Sequence, residues 1–191
     1  MNKLPENFEL DRYGLHCRLV REDDAEFIVK LRTDPEKMRF VTTISPSIDD
    51  QIRWIREYKQ RESEGTDYYF IYSYRGKLAG VNRIYDIESN HFIHGSWLFI
   101  NEIPPYCALA AAVVAREIAY NELGLDEEVD TIGIHVDNTM VLQFAEFMGC
   151  EFTGSHFLEK GEYRTSHLTK EMFDANKPKI LKLFPKKVLK I

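Results

Sequence analysis

At 191 residues the chain is long enough for one domain with a substantial core and too short for two ordinary ones. Its 44% hydrophobic and 29% charged content is that of a soluble globular protein, and no apolar run stays free of charge long enough to span a bilayer. A net charge of −6 argues against nucleic acid as the main partner, since that contact needs a basic face.

The N-terminus MNKLPENFELDR has no apolar signal core, so a cytoplasmic location is expected. The three cysteines, Cys17, Cys107 and Cys150, have no framework spacing and read as reduced thiols. His16–Arg21 reads as a first strand. Asp23 and Asp24 then offer capping carboxylates to a helix carrying Ala25, Phe27, Ile28 and Leu31, which should stop at Thr33-Asp34-Pro35. The segment PEKMRFVTTISPS mixes apolar residues with turn formers and reads as irregular. Ser47 opens a second helix with Ile48, Ile52, Trp54, Ile55 and Tyr58 at helical spacing, ending at Gly65.

From Thr66 the period shortens. Tyr68–Tyr74 is an aromatic strand, Arg75-Gly76-Lys77 a hairpin turn, and Leu78–Ile87 the partner strand, in which Gly80 permits a close approach. After the Glu88-Ser89-Asn90 turn comes HGSWLFI, a buried strand ending at Ile100 or Asn101. Pro104 and Pro105 then suit the first turn of a long helix rich in alanine, with Leu109, Val113, Ile118 and Leu123 on an almost wholly apolar surface and Gly124 beyond its end. A strand that feeds straight into a helix N-terminus can present free backbone N–H groups to an anion, so this junction is the expected site. Val129–Val136 reads as a strand and Asn138 as the cap of a short helix that ends at Gly149. Two strands, Cys150–Leu158 and Glu162–Thr169, and a terminal helix complete the chain. Lys170, Lys177, Lys179, Lys182, Lys186, Lys187 and Lys190 make that end basic, as the solvated face of a helix over 174–191 would be.

The order β-α-α-β-β-β-α-β-α-β-β, with Glu122-Leu123-Gly124-Leu125 at the end of the central helix and the Asn138 helix closing at Gly149 before Phe152 and Gly154, resembles the GCN5-related N-acetyltransferases (GNAT). The resemblance runs from about Tyr13 to Phe173. It is nearest to the ribosomal-protein-acetylating and nucleotide-sugar N-acetyltransferase branches, on Leu31–Pro35, Gln51–Glu57 and Leu78–Ile84. It implies one α/β (α+β) domain, with a mixed, mostly antiparallel seven-stranded sheet flanked by helices. It also implies acetyl-coenzyme A as co-substrate, a primary amine (amino sugar, protein N-terminus or small amine) as acceptor, and direct attack of that amine on the thioester. A homodimer is left open, and no metal is expected.

By the same resemblance, the donor lies in a split between Ser96–Ile100 and Thr131–Val136. Its arm pairs with Leu98, Phe99 and Ile100, its pyrophosphate meets Ile103, Tyr106, Cys107 and Ala108, and Asn138 touches the arm. His94, Asp86 and Tyr85 are the candidates to handle the amine's proton, because imidazole and carboxylate groups in a cleft suit that work. Arg32 and Arg83 are the candidates to hold an anionic acceptor. The chain departs from the family at Pro104 and Tyr106, which replace loop glycines and put a ring where phosphate oxygens would lie. It departs again at Ala145, which stands where a thiolate-protonating tyrosine is often found. These departures motivate a rival expectation, a GNAT-fold binding or sensor module with weak chemistry.

Overall fold

The computed structural model describes residues 2–40 and 42–189. Its strands are β1 (Glu9–Arg12), β2 (Leu15–Leu19), β3 (Tyr68–Tyr74), β4 (Lys77–Glu88), β5 (His91–Phe99), β6 (Glu127–His135), β7 (Glu151–Leu158) and β8 (Gly161–Thr169). The helices are α1 (Ala25–Arg32), α2 (Ile48–Glu64), α3 (Tyr106–Glu117), α4 (Thr139–Met148) and α5 (Lys170–Leu181). None of them is long and apolar enough to cross a membrane.

All eight strands form one sheet in the order β1-β2-β3-β4-β5-β6-β8-β7, antiparallel throughout except for β5 and β6. The expected count of seven is therefore one short. The extra strand, Glu-Leu-Asp-Arg, is a half-exposed edge strand whose polar residues give no apolar alternation to read. It pairs with β2 through a turn at Tyr13 and Gly14, both with positive φ.

Helices cover both faces. On one face α1 and α2 pack Ala25, Ile28, Leu31, Ile55 and Tyr58 onto Tyr69, Ile71, Val81 and Leu98. On the other, α3 lays fully buried Ala110, Ala111 and Ala115 against Tyr72, Ile84 and Phe92. The small side chains bring the helix backbone close enough for the Asn82 amide to donate to Ala111 O at 3.0 Å and for the Tyr72 hydroxyl to donate to it at 3.3 Å. The helix runs past Glu117 as a wider turn over Ile118–Glu122, closed by Leu123 N–H on Ile118 O, before Gly124 takes a positive φ.

The α2 cap is as expected, with Ser47 Oγ accepting from Asp50 N–H at 3.2 Å and Gly65 left-handed at the far end. The basic C-terminal stretch is divided. Helix α5 stops at Leu181, a short turn follows at Lys186–Val188, and Lys190 lies outside the described residues, as does Val41 in the irregular segment after α1.

Candidate active site

Two strands that start as partners and then part create the cleft. β5 and β6 are paired only at His91–Glu127 and Phe92–Glu128, so from Ile93 onward the β6-facing edge of β5 has no strand beside it. Each strand carries a reason for parting. In β5, three residues from Gly95 to Leu98 span what two residues of β4 span from Arg83 to Val81, and Ser96 takes φ +49°. In β6, four residues from Asp130 to Ile134 stand opposite two of β8, and Gly133 takes φ +86°. Asp130 builds this second bulge, because its Oδ1 accepts the Gly133 N–H at 2.8 Å. Bulges of this kind bend a strand and re-aim its side chains.

The gap opens into a cavity of about 320 Å³, roofed by Asn138, Val141, Phe144 and Ala145 of α4 and bordered at its mouth by Arg32, Phe40 and Thr42. Its floor is unexpectedly polar. Arg116 of α3 donates to Glu128 of β6 at 2.8 Å, and Arg116 Nε, Glu128 Oε2 and His94 Nε2 are all buried with no hydrogen-bond partner among the described residues. Buried polar atoms are rarely left unpaired, so three together mark a place built to meet something polar. Asp130, Cys150 and Ser166 complete this region.

The sequence candidates fall into three groups. Tyr85, His94, Leu98, Asn138 and Arg32 all line the cavity. Burial and the neighbouring Arg116 charge hold the His94 imidazole well below the usual histidine range, which makes it a neutral and weak base. Burial, with help from the Asp130 charge, pushes the Tyr85 phenol up, so it keeps its proton. Asn138 starts α4 without a side-chain cap bond, contrary to the capping role expected of it, and it lines the cavity. The Arg32 guanidinium donates to Thr42 O at 3.1 Å and Ser96 Oγ at 3.4 Å, and it has no carboxylate partner among the described residues.

Asp86 and Arg83 are placed elsewhere. Asp86 follows Tyr85 directly, so a strand sends the two to opposite faces, and a bulge with φ +50° turns Asp86 outward to a surface hollow near Thr66 and His91. It does not face the cleft. Arg83 binds both carboxylate oxygens of Asp67, with its Nε at 2.6 Å, and lies over the rings of Trp54 and Tyr85. That guanidinium is already committed.

The third group lies at the start of α3. Phe99 pairs with Gly80, where any Cβ would collide with the Phe99 ring, and Ile100 N–H bonds Ala79 O at 2.9 Å. Ile103, Tyr106, Cys107 and Ala108 do not border the cavity. Cys107 is fully buried, and desolvation raises its thiol, which removes any case for a nucleophile there. The Tyr106 ring does not stand in front of the helix as expected. It packs against Tyr74 and Phe184, with centroids at 6.5 and 6.0 Å. Between this turn and the cavity stands a stacked pair, Trp97 and Phe144, with centroids 4.3 Å apart, and the Trp97 indole N–H donates to Ala108 O at 2.9 Å.

Three features were missed in the sequence: Asp130, the Arg116–Glu128 pair and the Trp97–Phe144 stack. Asp130-Thr-Ile-Gly133 carries the only signal, an aspartate three residues before a glycine inside a strand.

A family profile described as Acetyltransferase (GNAT) domain matches residues 15–151. Among solved structures, the chain is similar to apo FdhC, described as a nucleotide-linked sugar GNAT, at 29% identity and TM-score 0.80, over 94% of this chain and 99% of that one. It is also similar in fold to the ribosomal-protein-S5-alanine acetyltransferase of Vibrio fischeri, with 10% identity and TM-score 0.74 over 86% and 98% of the two chains. RimJ of Mycobacterium smegmatis in complex with CoA-disulfide shares the fold at 15% identity and TM-score 0.73, over 92% of each chain. No curated protein sequence matches the chain significantly.

Proposed function

Given that this chain belongs to the GNAT acetyltransferase family, we propose that it transfers an acetyl group from acetyl-coenzyme A to a primary amine carried on a nucleotide-linked sugar. The observation that carries the reading is the free edge of β5 from Ile93 onward, held open against β6 by two bulges. An extended donor arm meets unpaired backbone groups there, in the manner of an added strand. The start of α3, whose Tyr106 ring packs against Tyr74, offers N–H groups and the positive end of the helix dipole to a pyrophosphate. Prolines at 104 and 105 reduce the number of donors at that end, and Cys107 N–H is already bound to Pro104 O, so the phosphate contact is weaker than a glycine loop would give.

On the acceptor side, Arg32 supplies a cation at the mouth with no carboxylate partner among the described residues, which suits a phosphate better than a neutral amine. This supports a nucleotide-linked amino sugar over a protein N-terminus or a small polyamine, in keeping with the description of the 29% identical structure. The amine attacks the thioester carbonyl directly. Backbone groups of Leu98–Ile100 orient the thioester, and the phenol of Tyr85, which keeps its proton, can donate a hydrogen bond in the cleft. The reading carries with it a cytoplasmic location, where acetyl-coenzyme A is available, and no resident metal.

A second reading is favoured by Ala145, which borders the cavity and has no hydroxyl to return a proton to the departing thiolate. In that case the chain binds the donor and turns over poorly. Calorimetric titration with acetyl-coenzyme A and coenzyme A, followed by thiol-release assays on nucleotide-linked amino sugars, peptide N-termini and spermidine, separates the two. Saturable donor binding with turnover of a nucleotide-linked amine supports the transferase, and donor binding without turnover supports the binding module. Absence of any donor binding at millimolar concentration defeats both.

A further inference from the structure

An ammonium acceptor cannot attack a thioester until it loses a proton, so a cleft built for this reaction needs a group that can take one. The expected candidates do not serve. His94 is neutral and weakly basic, with Nε2 sealed from solvent, and Asp86 faces another surface. Glu128 is bound to Arg116, and burial pushes the Cys150 thiol up to about 12. His135 has both ring nitrogens engaged, Nε2 with Lys160 O at 2.9 Å and Nδ1 with Asp137 N–H at 3.1 Å. Tyr85 keeps its proton and Tyr163 is likewise a phenol, so among the carboxylates that line the cavity only Asp130 is without an ion-pair partner among the described residues.

We propose that Asp130 is the carboxylate that holds the acceptor's ammonium group in the cleft and takes its proton. The inference rests on the transferase reading above. Asp130 lies on β6, across the split from the free edge of β5 where the thioester is expected. Oδ1 is fixed by the Gly133 N–H, and no lysine or arginine is ion-paired to the carboxylate among the described residues. The bulge that separates the strands is thus the same device that positions the carboxylate. Its surroundings suit the task. Tyr85 of β4 is near enough for the Asp130 charge to raise its phenol, Glu128 stands two residues back on the same strand with Arg116 of α3 beside it, and Cys150 senses the same charge. His94 lines the same cavity from β5. From β7, His156 acts to lower the Asp130 carboxyl, while on β8 Arg164 is occupied over the Phe152 ring. Burial outweighs these contributions and the backbone N–H bonds of Gly133 and Ile132, so the net shift makes Asp130 a stronger base than an exposed aspartate.

Asp130 carboxylate accepts one proton from R–NH3+ and becomes a carboxylic acid, and the freed amine lone pair forms the C–N bond to the thioester carbonyl carbon. The tetrahedral adduct loses its second N–H proton as the C–S bond breaks, and coenzyme A leaves as thiolate and is protonated. One proton is released to solvent when Asp130 returns to carboxylate.

The test is Asp130→Asn, which keeps an oxygen to accept the Gly133 N–H and so preserves the bulge. Expected are an unchanged calorimetric affinity for coenzyme A, an unchanged melting midpoint, and a kcat/KM for the amine lower by roughly 100- to 10,000-fold. The acid limb of the wild-type pH profile should disappear in this variant, and Asp130→Glu should restore part of the rate. Calorimetric titration of the amine onto the coenzyme A complex should show binding at least about tenfold weaker in Asp130→Asn. A variant with wild-type kcat/KM and an intact acid limb overturns the assignment while the transferase reading stands. A wild-type protein that neither acetylates nor binds any amine tested overturns that reading, and this assignment with it.

Discussion

The Arg116 guanidinium of the central helix reaches the Glu128 carboxylate of β6 at 2.8 Å, and both side chains are almost wholly buried beside the split. The pair ties the helix to the strand at the last point where β5 and β6 are still joined, since Glu128 is the partner of Phe92. Removing one member leaves the other charged and unpaired in the interior. Arg116→Met should therefore cost about 3–5 kcal/mol, while Arg116→Met with Glu128→Leu should recover most of that loss. Urea denaturation of the three proteins measures it. Burial already raises the Glu128 carboxyl, and loss of Arg116 raises it further, so the single variant gains stability as pH falls towards the range where Glu128 binds a proton. Its deficit against wild type should be smaller at pH 5 than at pH 8, and a deficit constant with pH would contradict the pairing.

His94 carries the opposite sign. Its folded-state pKa lies well below the ordinary 6.5, so below that value the unfolded chain binds a proton that the folded chain refuses. The contribution is present above the unfolded value and is lost as pH falls towards the folded one. Wild-type stability should drop by up to about 1.4 kcal/mol per pH unit in that window, relative to His94→Gln. Comparing the two proteins by chemical denaturation at pH 7.5, 6.0 and 5.0 isolates the histidine from Glu128 and Asp130, which are common to both. Parallel pH curves would mean that His94 titrates normally.

Trp97 supplies an optical reporter. Its ring is stacked on Phe144 at 4.3 Å between the start of α3 and the cavity, across the route that a donor arm would take from helix to cleft. Donor binding should part or shift this stack and change the indole emission. The only other tryptophan, Trp54, lies on the α2 face against Tyr58 and Tyr69. Trp54→Phe should keep the change seen on adding coenzyme A, and Trp97→Phe should abolish it. Emission that responds only through Trp54 would place the donor elsewhere.

Much of this architecture is legible in the residues, and the illegible part has a common cause. The aromatic run at Tyr68–Tyr74 and the alanines of α3 state strand and helix plainly, because side-chain shape and backbone preference agree there. Bulges break the rule by which position reports facing. Val129 to Val136 alternates like a regular strand, yet the Asp130–Gly133 bond inserts extra residues and changes which side chains meet the cleft. Asp86 and Ser96, both with positive φ, mislead in the same way. Arg116 and Glu117 were hidden for another reason. They sit inside an apolar helix, where a charge reads as an exposed flank, and only the folded chain brings up Glu128 for the first and Arg12, Tyr13 and Lys177 for the second.

The mouth of the cleft distinguishes classes of acceptor. Arg32 is held by Thr42 O and Ser96 Oγ, two neutral partners that fix its direction, and no carboxylate among the described residues compensates its charge. A charge-assisted bond from guanidinium to phosphate contributes about 1.5–3 kcal/mol, or roughly 10- to 150-fold in binding. Arg32→Gln should raise KM for a diphosphate-linked amine by that factor and leave kcat within about threefold. For an amine without phosphate, neither parameter should move. Equal losses on both acceptors would make Arg32 a brace for the irregular segment after α1.

Gly133 tests whether the bulge itself matters. Its φ of +86° is strained for any residue with a side chain, and a Cβ there would lie 2.8 Å from Arg164 O, a backbone atom of β8 that cannot swing away. Gly133→Ala should cost about 1–3 kcal/mol of stability. It should also disturb the N–H that fixes Asp130, so acetyl transfer should fall by a larger factor than coenzyme A affinity does. Melting midpoint, calorimetry and steady-state rate on one preparation give the three numbers. A variant that loses stability but keeps kcat/KM would show that the bulge separates the strands without positioning the carboxylate.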